Sequence, residues 1–103
     1  MKGYTLSPEA TEDLFEIWQY IAADSEDAAD RVQAEFYTMF GKLAQMPRQG
    51  HRRDDLTRRP VLFFPLYSYL IVYQADVNPI RIMAVVHGRR DVESFLRERN
   101  LEA

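Results

Sequence analysis

Residues 61–73 read VLFFPLYSYLIVY, with an apolar or aromatic side chain at nearly every position. An antiparallel sheet with one wet face alternates apolar and polar residues. This stretch does not, so strands built from it carry apolar side chains on both faces, and both faces need a cover. At 103 residues the chain is one domain, able to bury roughly two-thirds of its unfolded surface. Nothing in it is a covalent staple: there is no cysteine, which excludes disulfides and thiolate metal sites. The fold must therefore be held without covalent cross-links.

The rest of the chain supplies candidate covers. Lys2 to Leu6 reads as a short first strand with Tyr4 and Leu6 on one face. Ser7-Pro8-Glu9 is a helix start: a hydroxyl cap, a proline in the first turn, an acid at the positive dipole end. Ala10, Leu14, Ile17, Trp18 and Ile21 follow at helical spacing. Asp24-Ser25-Glu26-Asp27 breaks that helix and caps a second, whose stripe is Ala28, Val32, Phe36, Met39, Phe40 and Leu43, ended by Pro47. So short a link folds the two helices into an antiparallel hairpin. Trp18 is expected in its seam, where truncation to alanine would cost roughly 3–5 kcal/mol.

Residues 48–59 form a loop in which five arginines and His51 sit among two aspartates. Three strands follow: VLFF between Pro60 and Pro65, then Tyr69 to Ala75, then Ile80 to His87 after the Asn78-Pro79 turn. Asp91 can cap a last short helix whose face is Val92, Phe95 and Leu96. The fold class is α+β, in the order β-α-α-β-β-β(-α), with the hairpin packed on a small antiparallel sheet. A single hairpin covers one sheet face. The other is left to the short last helix, a second copy or another protein, and the sequence favours a protein partner because the helix is small for the task.

Charge is divided unevenly. Residues 1–46 carry three basic and nine acidic side chains, and residues 47–103 carry ten basic and seven acidic. Eleven of the thirteen basic residues are arginine, whose fork suits carboxylates and phosphates. The acidic face of the first helix (Glu12, Asp13, Glu16) reads as solvated. Without a histidine cluster it is no metal site, and neither a metal nor a cofactor is expected. The N-terminus lacks the apolar run of a signal peptide, and no segment approaches a membrane span, so a cytoplasmic protein without membrane contact is expected.

Three stretches, LSPEATEDLFEIWQYIA (6–22), FFPLYSYLIVYQ (63–74) and VVHGRRDVESFL (85–96), carry a resemblance over almost the whole chain. The sequence resembles the ParE branch of the RelE/ParE toxins of bacterial type II toxin–antitoxin systems. That resemblance implies a helical hairpin on an antiparallel sheet and a cognate ParD-like antitoxin that wraps the toxin. It leaves two activities open: inhibition of DNA gyrase, as implied by ParE, or ribosome-dependent mRNA cleavage, as implied by the RelE-like relatives. A toxin-fold protein that only binds its antitoxin is a third reading.

Cleavage of RNA by 2′-hydroxyl attack needs a base, an acid and cations around the phosphate. RelE-like nucleases are similar in using lysines, arginines and often a C-terminal tyrosine. Here no lysine follows Lys42 and no tyrosine follows Tyr73. The remaining candidates are Arg58, Arg59, Arg81, His87, Arg89 and Arg90. On a regular strand Arg81 and His87 would share a face, about 20 Å apart, too far to grip one phosphate. His87 is the one weak catalytic candidate, and His51 sits in what reads as a mobile loop. The six are therefore expected to bind a partner or target rather than to catalyse. Sequence-specific DNA binding is not expected.

Overall fold

The structure, a computed structural model, describes residues 3–101. In chain order the elements are β1 (Tyr4–Leu6), α1 (Pro8–Ala22), α2 (Glu26–Gln45), a 3-10 turn (Pro47–Gln49), β2 (Leu62–Leu66), β3 (Tyr69–Gln74), β4 (Ile80–His87) and α3 (Val92–Glu98). The expected helix starts hold at atomic detail. Ser7 Oγ accepts from the Ala10 amide at 3.0 Å, and Ser25 Oγ accepts from the Ala28 amide at 3.1 Å. Asp91 does the same for α3, accepting from the Ser94 amide at 3.1 Å.

The four strands lie in the order β1-β4-β3-β2. β2, β3 and β4 pair antiparallel, as strands joined by short turns should. β1 instead pairs parallel with β4, so the sheet is mixed rather than purely antiparallel. The whole helical hairpin separates β1 from the strands that follow, so no tight turn imposes the antiparallel direction. The loop before β2 is also less free than its composition suggests. His51 exchanges two backbone hydrogen bonds with Phe63, at 2.9 and 2.8 Å, and so adds an isolated bridge to the outer edge of β2.

Both sheet faces are buried within the one chain, which corrects the expectation that a second polypeptide is needed to cover one of them. Phe36, Phe40 and Leu43 of α2, with Ala10 and Leu14 of α1, pack on Ile71, Tyr73 and Ile82. Against the other face, Phe95 and Leu96 of α3 pack on Phe63, Val72, Ala84 and Val86. The short helix does not work alone. Val61 from the preceding loop and Leu101 beyond the helix complete the cluster, with Leu56 packed against it.

Trp18 does lie in the hairpin seam, where its indole Nε1 donates to Asp30 at 2.9 Å. It is half-exposed rather than core, and the buried members of α1 are Ala10, Asp13 and Leu14. Part of its surface stays in water, so truncation removes less buried area than it would for a fully buried tryptophan.

Candidate functional site

β4 is irregular. Val72 pairs with Ala84 and Tyr73 with Ile82, so Met83 is an extra residue in β4, a bulge. A bulge reverses which face the following residues occupy. Ile80 and Ile82 face the helical hairpin, whereas Ala84 and Val86 face α3, and Val85 turns back toward the hairpin. Arg81 and His87 are thus on opposite faces, not on the shared face that uninterrupted alternation would give. Arg81 pairs across to Gln74 on the α3 side, and His87 pairs across to Tyr69 on the hairpin side.

α1 stabilises the bulge. The Ser7 hydroxyl donates to the Met83 carbonyl at 3.0 Å, and the Asp13 carboxylate accepts from the Val85 amide at 3.0 Å. Side chains of α1 thus take over the edge of β4 where β1 ends. Asp13 is only 5% exposed and also accepts from both terminal nitrogens of Arg99, at 3.2 and 2.6 Å. Hydrogen bonding to Asp13 holds the Arg99 guanidinium above its already high range. The reading of Asp13 as a solvated residue is therefore wrong: one carboxylate ties α1, β4 and the end of α3 together.

Beside this tie lies a cleft of about 280 Å³ at the C-terminal end of β4, between α1 and α3. It is lined by Asp13, Glu16, Ile17 and Tyr20 of α1, Tyr69 of β3, Val85, Val86 and His87 of β4, then Arg90 and Phe95. The His87 ring meets Tyr69 edge-on, with centroids 5.1 Å apart. Its Nδ1 accepts from the Arg89 amide at 3.1 Å, which leaves Nε2 as the nitrogen that carries the proton in the neutral ring. Burial raises the Tyr69 phenol above its usual range, with Tyr20 adding to the shift.

Of the six candidates from the sequence, only His87 and Arg90 line this cleft. The Arg90 guanidinium is engaged already, 3.6 Å from Glu98 and 4.8 Å from the Phe95 centroid. Arg89 is exposed at the turn after β4. Arg58 lines a separate hollow with Asp54, Asp55, Glu93 and Arg97, and Arg59 is exposed next to it in sequence. Among the described residues no carboxylate pairs with Arg58, Arg81 or Arg89. The candidates do not converge on one phosphate. The cleft itself presents two carboxylates against one guanidinium, a poor lining for a polyanion. Among the described residues no group of histidines and carboxylates is arranged to hold a metal ion.

Sequence reasoning missed Glu16, Tyr20, Tyr69 and Arg99 as members of this end of the molecule. Glu16 and Tyr20 are four apart on α1 and so share a face, a signal the sequence does contain. The Asp13–Arg99 pair spans 86 residues, and no local pattern announces it.

The sequence matches, over residues 4–92, the family described as the ParE toxin of type II toxin–antitoxin systems, parDE. A search of the curated proteins found no match. Among solved structures, a chain of a chromosomal ParDE toxin–antitoxin system from P. aeruginosa superposes with a TM-score of 0.68 at 17% identity. The match covers 82% of this chain and 92% of that one. At that identity the likeness concerns the fold: a helical hairpin over a four-stranded sheet. Among the described residues no helix is long and apolar enough to cross a membrane.

Proposed function

The chain belongs to the ParE toxin family of type II toxin–antitoxin systems, and from that premise we propose that it acts in the cytoplasm by binding and blocking DNA gyrase, without cutting RNA. A cognate ParD-like antitoxin neutralises it. The observation that carries the choice of inhibitor over nuclease is the lining of the cleft at the end of β4. His87 is its one histidine, Arg90 is held by Glu98 and Phe95, Asp13 is matched by Arg99, and Glu16 leaves one unmatched carboxylate in the lining. A ribonuclease of this size needs the opposite balance, with cations around the phosphate and a spare acid–base pair.

The antitoxin is expected to bring acidic side chains to the exposed Arg58, Arg59 and Arg89 and to the partly buried Arg81. Charge complementarity of this kind raises association rate and specificity more than affinity.

The test is tightly controlled expression, read in parallel with a purified gyrase supercoiling assay and a ribosome-dependent mRNA cleavage assay. Filamentation and a block of supercoiling, with intact mRNA, are expected. Prompt translation arrest with cleaved mRNA would replace the proposal with the nuclease reading. Normal growth alongside tight antitoxin binding would leave only a non-toxic antitoxin-binding protein.

A further inference from the structure

The charges around the cleft cancel in pairs, with one left over. Arg99 is matched by Asp13 at 2.6 Å and Arg90 by Glu98 at 3.6 Å. Both guanidinium groups also lie over the Phe95 ring, at 4.4 and 4.8 Å from its centroid. Glu16 is the remainder. It is an exposed carboxylate on the cleft wall that forms no ion pair among the described residues, although its charge, with that of Glu9, also acts on Arg99. One helical turn further along α1 stands Tyr20, 81% exposed. Tyr69 is the aromatic wall from β3, and Ile17 and Val85 are apolar lining between them.

We infer that this cleft receives a basic side chain, arginine or lysine, from the protein that the toxin inhibits. Glu16 pairs with the charge, the Tyr20 and Tyr69 rings flank the cationic head, and Ile17 meets its aliphatic stem. On the α3 side, Arg90 and Arg99 already combine such contacts, each with a carboxylate partner and the Phe95 ring. An acidic antitoxin tail is the wrong occupant, because the lining carries one more carboxylate than guanidinium. Nucleic-acid phosphates are excluded on the same ground. Only the occupant's identity rests on the proposed function; the preference for a cation rests on the cleft.

Two measurements separate those claims. The first is an NMR titration of the isotopically labelled full chain with N-acetyl-arginine amide as the probe. Shifts are expected at Ile17, Tyr20 and Tyr69, with binding about 10-fold weaker in Glu16→Gln, the loss of one charge-assisted hydrogen bond. Glu12→Gln, which removes an exposed carboxylate elsewhere on α1, should bind as wild type does. Equal binding by Glu16→Gln, equal loss in Glu12→Gln, or shifts confined to other surfaces would overturn the cation site.

The second compares Glu16→Gln with wild type in the supercoiling assay and in rescue of growth by the antitoxin encoded next to the toxin. About 10-fold more of the variant should be needed to block supercoiling, with rescue unchanged. Rescue lost while inhibition stays intact would make the antitoxin the occupant and overturn the assignment to the target. If wild type leaves gyrase untouched, the proposed function fails, and the titration still decides the cation site.

Discussion

At the scale of single residues, Asp13 carries the most structure per atom. Its carboxylate meets the Val85 amide and both terminal nitrogens of Arg99 while almost wholly out of water. Removing one partner of a buried pair leaves the other charge uncompensated. Asp13→Ala should therefore cost roughly 3–5 kcal/mol in chemical denaturation. The double change with Arg99→Ala should cost little more than Asp13→Ala alone, because the two act as a unit. Additive losses would show that the two side chains do not depend on each other. The tyrosines set a different limit. Burial raises the Tyr69 and Tyr73 phenols, and Tyr73 donates to the Pro47 carbonyl at 2.7 Å and accepts from the Gly50 amide at 2.9 Å. An unfolded tyrosine ionises near pH 10, whereas the folded protein holds these two neutral to higher pH. Stability should thus be intact below about pH 10 and fall as pH climbs through the raised folded values. Circular dichroism recorded with tyrosinate absorbance checks this. Tyr73→Phe should shift the alkaline transition upward, and an unmoved transition would assign it to other groups.

At the scale of elements, α3 is the piece whose role the sequence misjudged. Its face was legible as Val92, Phe95 and Leu96, and its cap as Asp91. Its sufficiency was not, because Leu56, Val61 and Leu101 join it from outside the helix. The structure makes a definite demand: Leu96 is fully buried, so Leu96→Ala should cost roughly 2–5 kcal/mol, as a core leucine does. A loss within experimental error in the isolated chain would mean that α3 is not a real cover. The two helices of the hairpin were readable because caps and a 3.6-residue period are local signals. The strands were readable as strands, but not their faces beyond Ile82. One extra residue at Met83 moves His87 to the hairpin side, and the interactions that stabilise it come from Ser7 and Asp13, more than 70 residues away in sequence. Period-2 reasoning has no access to that. His87 and Arg90 were singled out by their type, whereas Glu16, Tyr20 and Tyr69 join them at the cleft only through the fold.

At the scale of the whole molecule, charge is segregated, with nine acids against three bases before residue 47 and ten bases against seven acids after it. The fold mixes the two halves in part, since Asp13 of the first pairs with Arg99 of the second. The arginines of the second half do not contribute equally, because several are already used. Arg90 and Arg99 stack on Phe95 and pair with Glu98 and Asp13, while Arg89 is exposed with no carboxylate partner among the described residues. Replacing Arg89 should therefore act on association, and replacing Arg90 on the fold. Arg89→Ala should slow binding of the antitoxin several-fold and flatten its dependence on salt, leaving the thermal melt unchanged. Arg90→Ala should lower the melt through loss of its contacts to Phe95 and Glu98. Stopped-flow association at two ionic strengths, with a melt of each variant, reads both effects. If the two substitutions behaved alike, the division between arginines that hold α3 and arginines that face a partner would have no physical content.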